Sequence, residues 1–161
     1  MRYLSIGLVG LAIFITGCVA SSATSDTNNY RKRIGTAAPN DVVRETEQTL
    51  VSRYGYRFDR KVTTSEDMRF ITQWNQHSPM MDEQAKNVSA CRTRIRVSAR
   101  PKNRSGAEIR TYTVIMEADY QVQKQGSPEW ITMAMPESRV EYVDEIADRL
   151  EQQVAGGVRS Y

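Results

Sequence analysis

"CRTRIRVSAR", Cys91 to Arg100, is the stretch that decides the fold. Its odd positions are Cys91, Thr93, Ile95, Val97 and Ala99, while its even positions are Arg92, Arg94, Arg96, Ser98 and Arg100. Successive side chains of a strand point to opposite faces, so this alternation predicts one buried face and one face carrying arginines. "RTYTVIMEADYQVQ", from Arg110 onward, repeats the pattern: Tyr112, Val114, Met116, Ala118, Tyr120 and Val122 alternate with Thr113, Glu117, Asp119 and Gln121. Between the two lies "PKNRSGAEI", in which Ser105-Gly106 is a natural turn.

A hairpin centred on that turn sets Val97 opposite Val114 and Ile95 opposite Met116 on the buried side. On the outer side it sets Arg94 opposite Glu117 and Arg92 opposite Asp119, leaving Arg96 and Arg100 without acidic partners. A slip by one residue would bury the arginines, so the facing is well specified. The outer row reads either as an exposed, partly salt-bridged sheet face or as an anion- or partner-contact strip centred on Arg96 and Arg100.

Working outward, "YRFDRKVTT" and "MRFITQW" flank Ser65-Glu66-Asp67 and carry bulky groups at even positions. A hairpin there sets Tyr56 opposite Trp74 on one face. "EWITMAM" adds a short fifth strand after Gly126-Ser127-Pro128. Asn75 to Ser89 is polar and contains Met80-Met81, and it reads as a loop with a short helix. Upstream, Asn40 or Asp41 caps a helix in which Val43, Leu50, Val51 and Tyr54 recur at helical spacing, and Gly55 stops it. Downstream, Val143, Ile146, Ala147, Leu150 and Val154 form one apolar stripe that ends at Gly156-Gly157. Amphipathic helices need a covering surface. The expected architecture is therefore α+β: a two-layer sandwich of a four- to five-stranded antiparallel sheet with the N-terminal and C-terminal helices on one face. Tyr56, Phe58, Phe70, Trp74, Met116 and Tyr120 are expected either to fill the core or to line an apolar pocket.

The N-terminus carries a different signal. One positive charge at Arg2 precedes an apolar run from Leu4 to Ile15, too short to span a bilayer, which takes about 20 residues. It leads into Ile15-Thr16-Gly17-Cys18, and such a charged start, apolar core and small-residue exit describe a signal peptide. The exit resembles the lipobox of Gram-negative-type bacterial lipoproteins, with Ile where Leu is more usual. That resemblance implies a diacylglycerol on the Cys18 sulfur and cleavage just before it. Val19, not Asp, follows the cysteine, which by the same resemblance implies export to the outer membrane, facing the periplasm. The organisation read from this is a signal peptide over 1–17, a lipidated cysteine and flexible linker over 18–39, one domain over 40–157 and a tail over 158–161. The linker's Arg31-Lys32-Arg33 cluster reads as a solvated charge run or as a contact with anionic headgroups.

The folded part is similar to the helix-grip domains of outer-membrane lipoproteins, such as the lipoprotein component C of the β-barrel assembly machinery. "FITQW" and the order of elements over about residues 40–155 carry that similarity.

Chemistry-bearing motifs are sparse. The chain has 22 Lys and Arg against 19 Asp and Glu. Loss of Arg2 with the signal leaves a near-balanced charge, which argues against a nucleic-acid partner. His77 is the only histidine, so a zinc site or a Ser-His-Asp arrangement would rest on it alone. Glu66, Asp67, Asp82 and Glu83 read as solvated loop acids. Once Cys18 is lipidated, Cys91 has no partner within the chain and reads either as a small buried hydrophobe or as a thiol that pairs with another chain in an oxidising compartment. No cofactor, metal or catalytic residue is expected. Two functional readings follow: a lipid-anchored interaction or assembly accessory module that binds an envelope protein, or a periplasmic module for lipid or another small apolar ligand.

Overall fold

The computed structural model describes residues 30–102 and 111–157. Cys18, the Ser105-Gly106 turn and the tail from 158 lie outside the described residues. The chain runs β1 (Tyr30–Ala37), α1 (Pro39–Glu47), a π-helical turn (Gln48–Arg53), β2 (Phe58–Thr63), β3 (Met68–Thr72), β4 (Asn75–His77), α2 (Met81–Gln84), β5 (Val88–Pro101), β6 (Tyr112–Lys124), β7 (Trp130–Thr132) and α3 (Glu137–Gly157). It is the expected α+β sandwich, an antiparallel sheet with the N-terminal and C-terminal helices packed on it. Among the described residues no helix is long and apolar enough to cross a membrane.

The long pair β5 and β6 forms the spine. The sheet order is β1-β6-β5-β3-β2, with β4 pairing to β5 and β7 to β6. β3 and β4 use the same edge of β5 at different heights, Met68 to Ile71 against Ala99 to Arg96 and Asn75 to His77 against Thr93 to Cys91. β1 and β7 share the far edge of β6 in the same way. The alternation of β5 and β6 is realised throughout: Cys91, Ile95, Val97, Ala99, Val114, Met116 and Ala118 are buried, and the arginines lie on the other face.

The register differs from the expected one by two residues. Val97 stands opposite Met116, Ala99 opposite Val114, Arg94 opposite Asp119 and Arg96 opposite Glu117. A two-residue slip leaves every side chain on its own face, so the apolar pattern cannot choose between the two registers.

β1 corrects the expected linker. Residues 30–37 are strand, so the folded domain begins ahead of Asn40. Tyr30, Lys32 and Ile34 take the helix side, and Arg31 and Arg33 take the outer side. A bulge between Arg33 and Gly35 is built on Gly35 at φ 144°, a left-handed conformation that favours glycine. The Arg31-Lys32-Arg33 cluster is thus split between two faces.

α1 starts at Pro39, with Ala38 as N-cap and not Asn40 or Asp41. Proline at the first helical position has φ already set and loses no needed N–H. The buried stripe is Val42, Thr46, Thr49 and Leu50, displaced from the expected one, and Val51 is exposed. Gly55, at φ 70°, ends the helical segment as expected. In α3 all five expected residues, Val143, Ile146, Ala147, Leu150 and Val154, are buried against the sheet.

Candidate functional site

The helices cover one face of the sheet. Among the described residues nothing covers the other, which is where the chemistry of the surface is concentrated. β5 presents Arg92, Arg94, Arg96, Ser98 and Arg100 there, and β6 presents Thr113, Ile115, Glu117, Asp119 and Gln121.

At one end of this face arginines stack on tryptophans. The Arg92 guanidinium lies 4.2 Å from the ring centre of Trp130 and 4.6 Å from that of Trp74, and Arg94 lies 4.7 Å from Trp74. A guanidinium over an indole face is held by the ring quadrupole and by stacking. Arg92 also donates from Nε and Nη2 to Gln121 Oε1, at 3.0 and 2.6 Å. Partial burial and the neighbouring Arg94 charge lower its pKa from the ordinary arginine value.

Trp74 therefore departs from its expected place. The chain leaves β3 at Thr72 and re-enters the sheet at Asn75, and this break switches the parity on which the pairing with Tyr56 depended. Tyr56 is buried in the core, whereas Trp74 sits on the outer face. The expected aromatic set is thus divided. Tyr56, Phe70 and Met116 belong to the main core with Phe58 packed against it, and Tyr120 belongs to a second cluster with Val88, Cys91 and Val122. These six residues do not share one wall.

In the middle of the face, Asp119 accepts from Arg94 Nη2 at 2.8 Å and from Arg96 Nη2 at 2.7 Å. Glu117 lies 3.5 Å from Arg31 Nε and 3.9 Å from Arg96 Nη2. Arg100 Nε lies 4.0 Å from Asp67, which also pairs with Arg69 at 3.1 Å. Arg96 and Arg100 therefore have acidic neighbours, contrary to expectation: the two-residue shift brings Glu117 and Asp119 within reach of Arg96, and the pairing of β3 with β5 sets Asp67, just ahead of β3, near Arg100. At this end the face opens into a cleft of about 530 Å³ lined by Arg31, Arg69, Arg96, Arg100, Lys102 and Glu117 among others.

A second polar constellation lies inside the protein. Arg139, at the start of α3, meets Glu83 of α2, and both are buried. Glu83 also accepts from the Tyr120 hydroxyl at 2.7 Å and from the Met80 backbone N–H at 2.6 Å. Burial alone would raise its pKa, but the Arg139 and Tyr120 hydrogen bonds outweigh it and hold the carboxyl below the usual range. The expectation of a solvated loop acid thus fails for Glu83. Asp82 beside it accepts from the Ser138 hydroxyl at 2.7 Å, joining α2 to α3.

Cys91 is a free, buried cysteine, with Sγ 3.2 Å from Arg139 Nη2 and 3.3 Å from the His77 carbonyl. Burial pushes its thiol up to about 11, so it stays protonated at neutral pH and is a poor nucleophile. His77 is on β4 rather than in a loop. Its Nε2 lies 2.8 Å from Thr93 Oγ1, which is in turn 2.8 Å from the Tyr56 hydroxyl. These groups connect α2, β4, β5, β6 and α3 from within, and no spacing in the sequence announces them. Among the described residues no group of three or more His, Cys, Asp or Glu side chains is placed to hold a metal ion.

No family model matches the chain, and no curated protein matches it.

Proposed function

We propose that this protein is a non-catalytic interaction module, lipid-anchored through Cys18 at the outer membrane and facing the periplasm, that docks an envelope protein on its uncovered sheet face. The observation that carries the reading is the asymmetry of the sandwich. α1 and α3 seal one side, while the other displays the Trp74–Arg92–Trp130 stack beside a row of arginines. Tryptophan and arginine are the residues most enriched at the energetic centres of protein interfaces. An arginine already stacked and hydrogen-bonded loses little side-chain freedom when a partner arrives. The charge row favours a partner with acidic groups opposite it and would steer its approach. The lipobox-like Ile15-Thr16-Gly17-Cys18 supports the anchoring.

The lipid-binding alternative finds less support, because the aromatic set it needs is split between two buried clusters and the outer face. The test is photo-cross-linking in intact cells from Gln121 or Thr132 on the sheet face and from Glu141 or Glu151 on α3. The reading expects the same product from both sheet positions, none from α3, and its loss in a Cys18→Ser chain. Products from α3 alone, or no product together with lipid co-purifying with the chain, overturn it.

A further inference from the structure

We infer that the cleft at the Arg100 end of the sheet binds a phosphomonoester-type oxyanion carried on a compact polar group. The lining residues come from four neighbouring strands: Arg31 from β1, Glu117 from β6, Arg96 and Arg100 from β5 and Arg69 from β3, with Lys102 just beyond β5. Among the described residues three carboxylates reach these cations. Asp67 pairs with Arg69 and lies near Arg100, Glu117 lies between Arg31 and Arg96, and Asp119 bridges Arg96 and Arg94. Among the described residues, five cations of the cleft, Arg31, Arg69, Arg96, Arg100 and Lys102, together with Arg94, which shares Asp119, thus meet three carboxylates.

One donor is left over in the structure itself. Arg96 Nε is buried and has no hydrogen-bond partner among the described residues. That atom is shut off from the cleft, as is Asp67 Oδ1, which also lacks a hydrogen-bond partner. The Arg96 side chain as a whole, however, is about one-third exposed and lines the cleft, so its outer nitrogens can meet an acceptor oxygen there. The surplus charge selects a multiply charged ligand. A phosphomonoester carries about −1.5 to −2 at neutral pH and offers three acceptor oxygens, which suits arginine forks arriving from several strands.

The volume of about 530 Å³ is many times the roughly 30 Å³ share of one water, so a bare ion would leave most of it empty. Ser98 and Thr113 supply hydroxyls for a polar carrier, and Ile71 and Ile115 an apolar wall. Two sources share this chemistry, a free phosphate ester and the headgroup of a membrane lipid.

The test titrates the full chain in dodecyl maltoside micelles at low ionic strength, by calorimetry. One arm adds glycerol phosphate, and the other adds micelles doped with phosphatidic acid. Saturable binding is expected in at least one arm, weakened about tenfold or more by Arg69→Gln and by Arg100→Gln. Arg53→Gln, which removes an exposed charge from the helix side, should leave it unchanged. Binding of glycerol phosphate assigns the site to a free ester, and binding of phosphatidic acid alone assigns it to a lipid headgroup. No saturable binding in either arm, or equal weakening by Arg53→Gln, overturns the inference. It rests on the uncovered face of the interaction reading, yet the two fail separately. A cross-linked partner without phosphate binding removes only the cleft ligand, and phosphate binding without a partner removes only the interaction reading.

Discussion

Arg139 grips Glu83 with two nitrogens, Nη2 to Oε2 at 3.0 Å and Nε to Oε1 at 3.2 Å, in a pair almost wholly removed from solvent. Removing one member of a buried ion pair strands the other, which costs about 3–5 kcal/mol. Arg139→Met should lower the unfolding free energy by that amount in urea denaturation. Replacing both residues, as Arg139→Met with Glu83→Leu, should recover much of the loss. A cost under about 1 kcal/mol for Arg139→Met would mean that the pair does not hold α2 and α3 to the sheet.

Acid should act through His77. Burial, and secondarily the Arg139 charge, lower its pKa below the ordinary value, with Glu83 opposing. The folded protein therefore binds fewer protons here than the unfolded chain does. Stability is fully present above the unfolded pKa of about 6.5 and is lost as pH falls from there toward the lower folded value. Urea midpoints from about pH 7 down to about pH 5 should fall, and His77→Gln should flatten that part of the curve. An identical slope in His77→Gln would exclude His77 as the source.

The Cys91 thiol should resist modification. It is buried and its pKa is raised to about 11, so a maleimide at neutral pH should label it only after denaturation. Peptide mass spectrometry locates the label. Rapid native labelling of Cys91 would show that β4 and α2 open readily around it.

On the outer face, Arg92 and Trp130 should be coupled weakly. A double-mutant cycle of Arg92→Ala and Trp130→Ala should give about 0.5–1 kcal/mol, the range for a cation over an exposed ring. Each single variant should weaken partner cross-linking far more than it lowers stability. The reverse pattern would make the stack a structural element and not a contact surface.

Ile146 tests the packing of the two layers. It is fully buried between α3 and the sheet, so Ile146→Ala should cost about 2–5 kcal/mol by loss of transfer energy and formation of a cavity. A much smaller value in urea denaturation would mean that α3 is loosely held.

The parts of the fold that were legible in the sequence are those where one face is uniformly apolar over a long stretch. Ile95, Val97, Val114 and Met116 mark β5 and β6, and Val143 to Val154 mark α3. β1 escaped because Ile34 is its one large aliphatic residue. Tyr30 and Lys32 also face the helices, and their polar tips are answered by Asp144 and Asp148 on α3, more than a hundred residues away. Glu83 escaped for the same reason, since Arg139 is 56 positions away. Trp74 was misplaced because counting by twos fails where the strand breaks. The arginine row was visible in the sequence, but its acidic partners depended on a register that the apolar pattern could not distinguish from its neighbour two residues along.

The early start of β1 has a mechanical consequence. Under the proposed anchoring at Cys18, the chain from there to Tyr30 spans 12 residue steps, which fixes an upper bound of about 40 Å on the distance between the two. The domain would then be confined to within that distance of the bilayer. Any pull transmitted from the anchor loads the first residues of β1. There the Tyr30 hydroxyl donates to Asp144 at 2.5 Å and Lys32 Nζ meets Asp144 at 2.8 Å and Asp148 at 2.6 Å. These contacts rivet the strand to α3, so that peeling it from the sheet edge requires breaking charged bonds as well as the backbone ladder to β6.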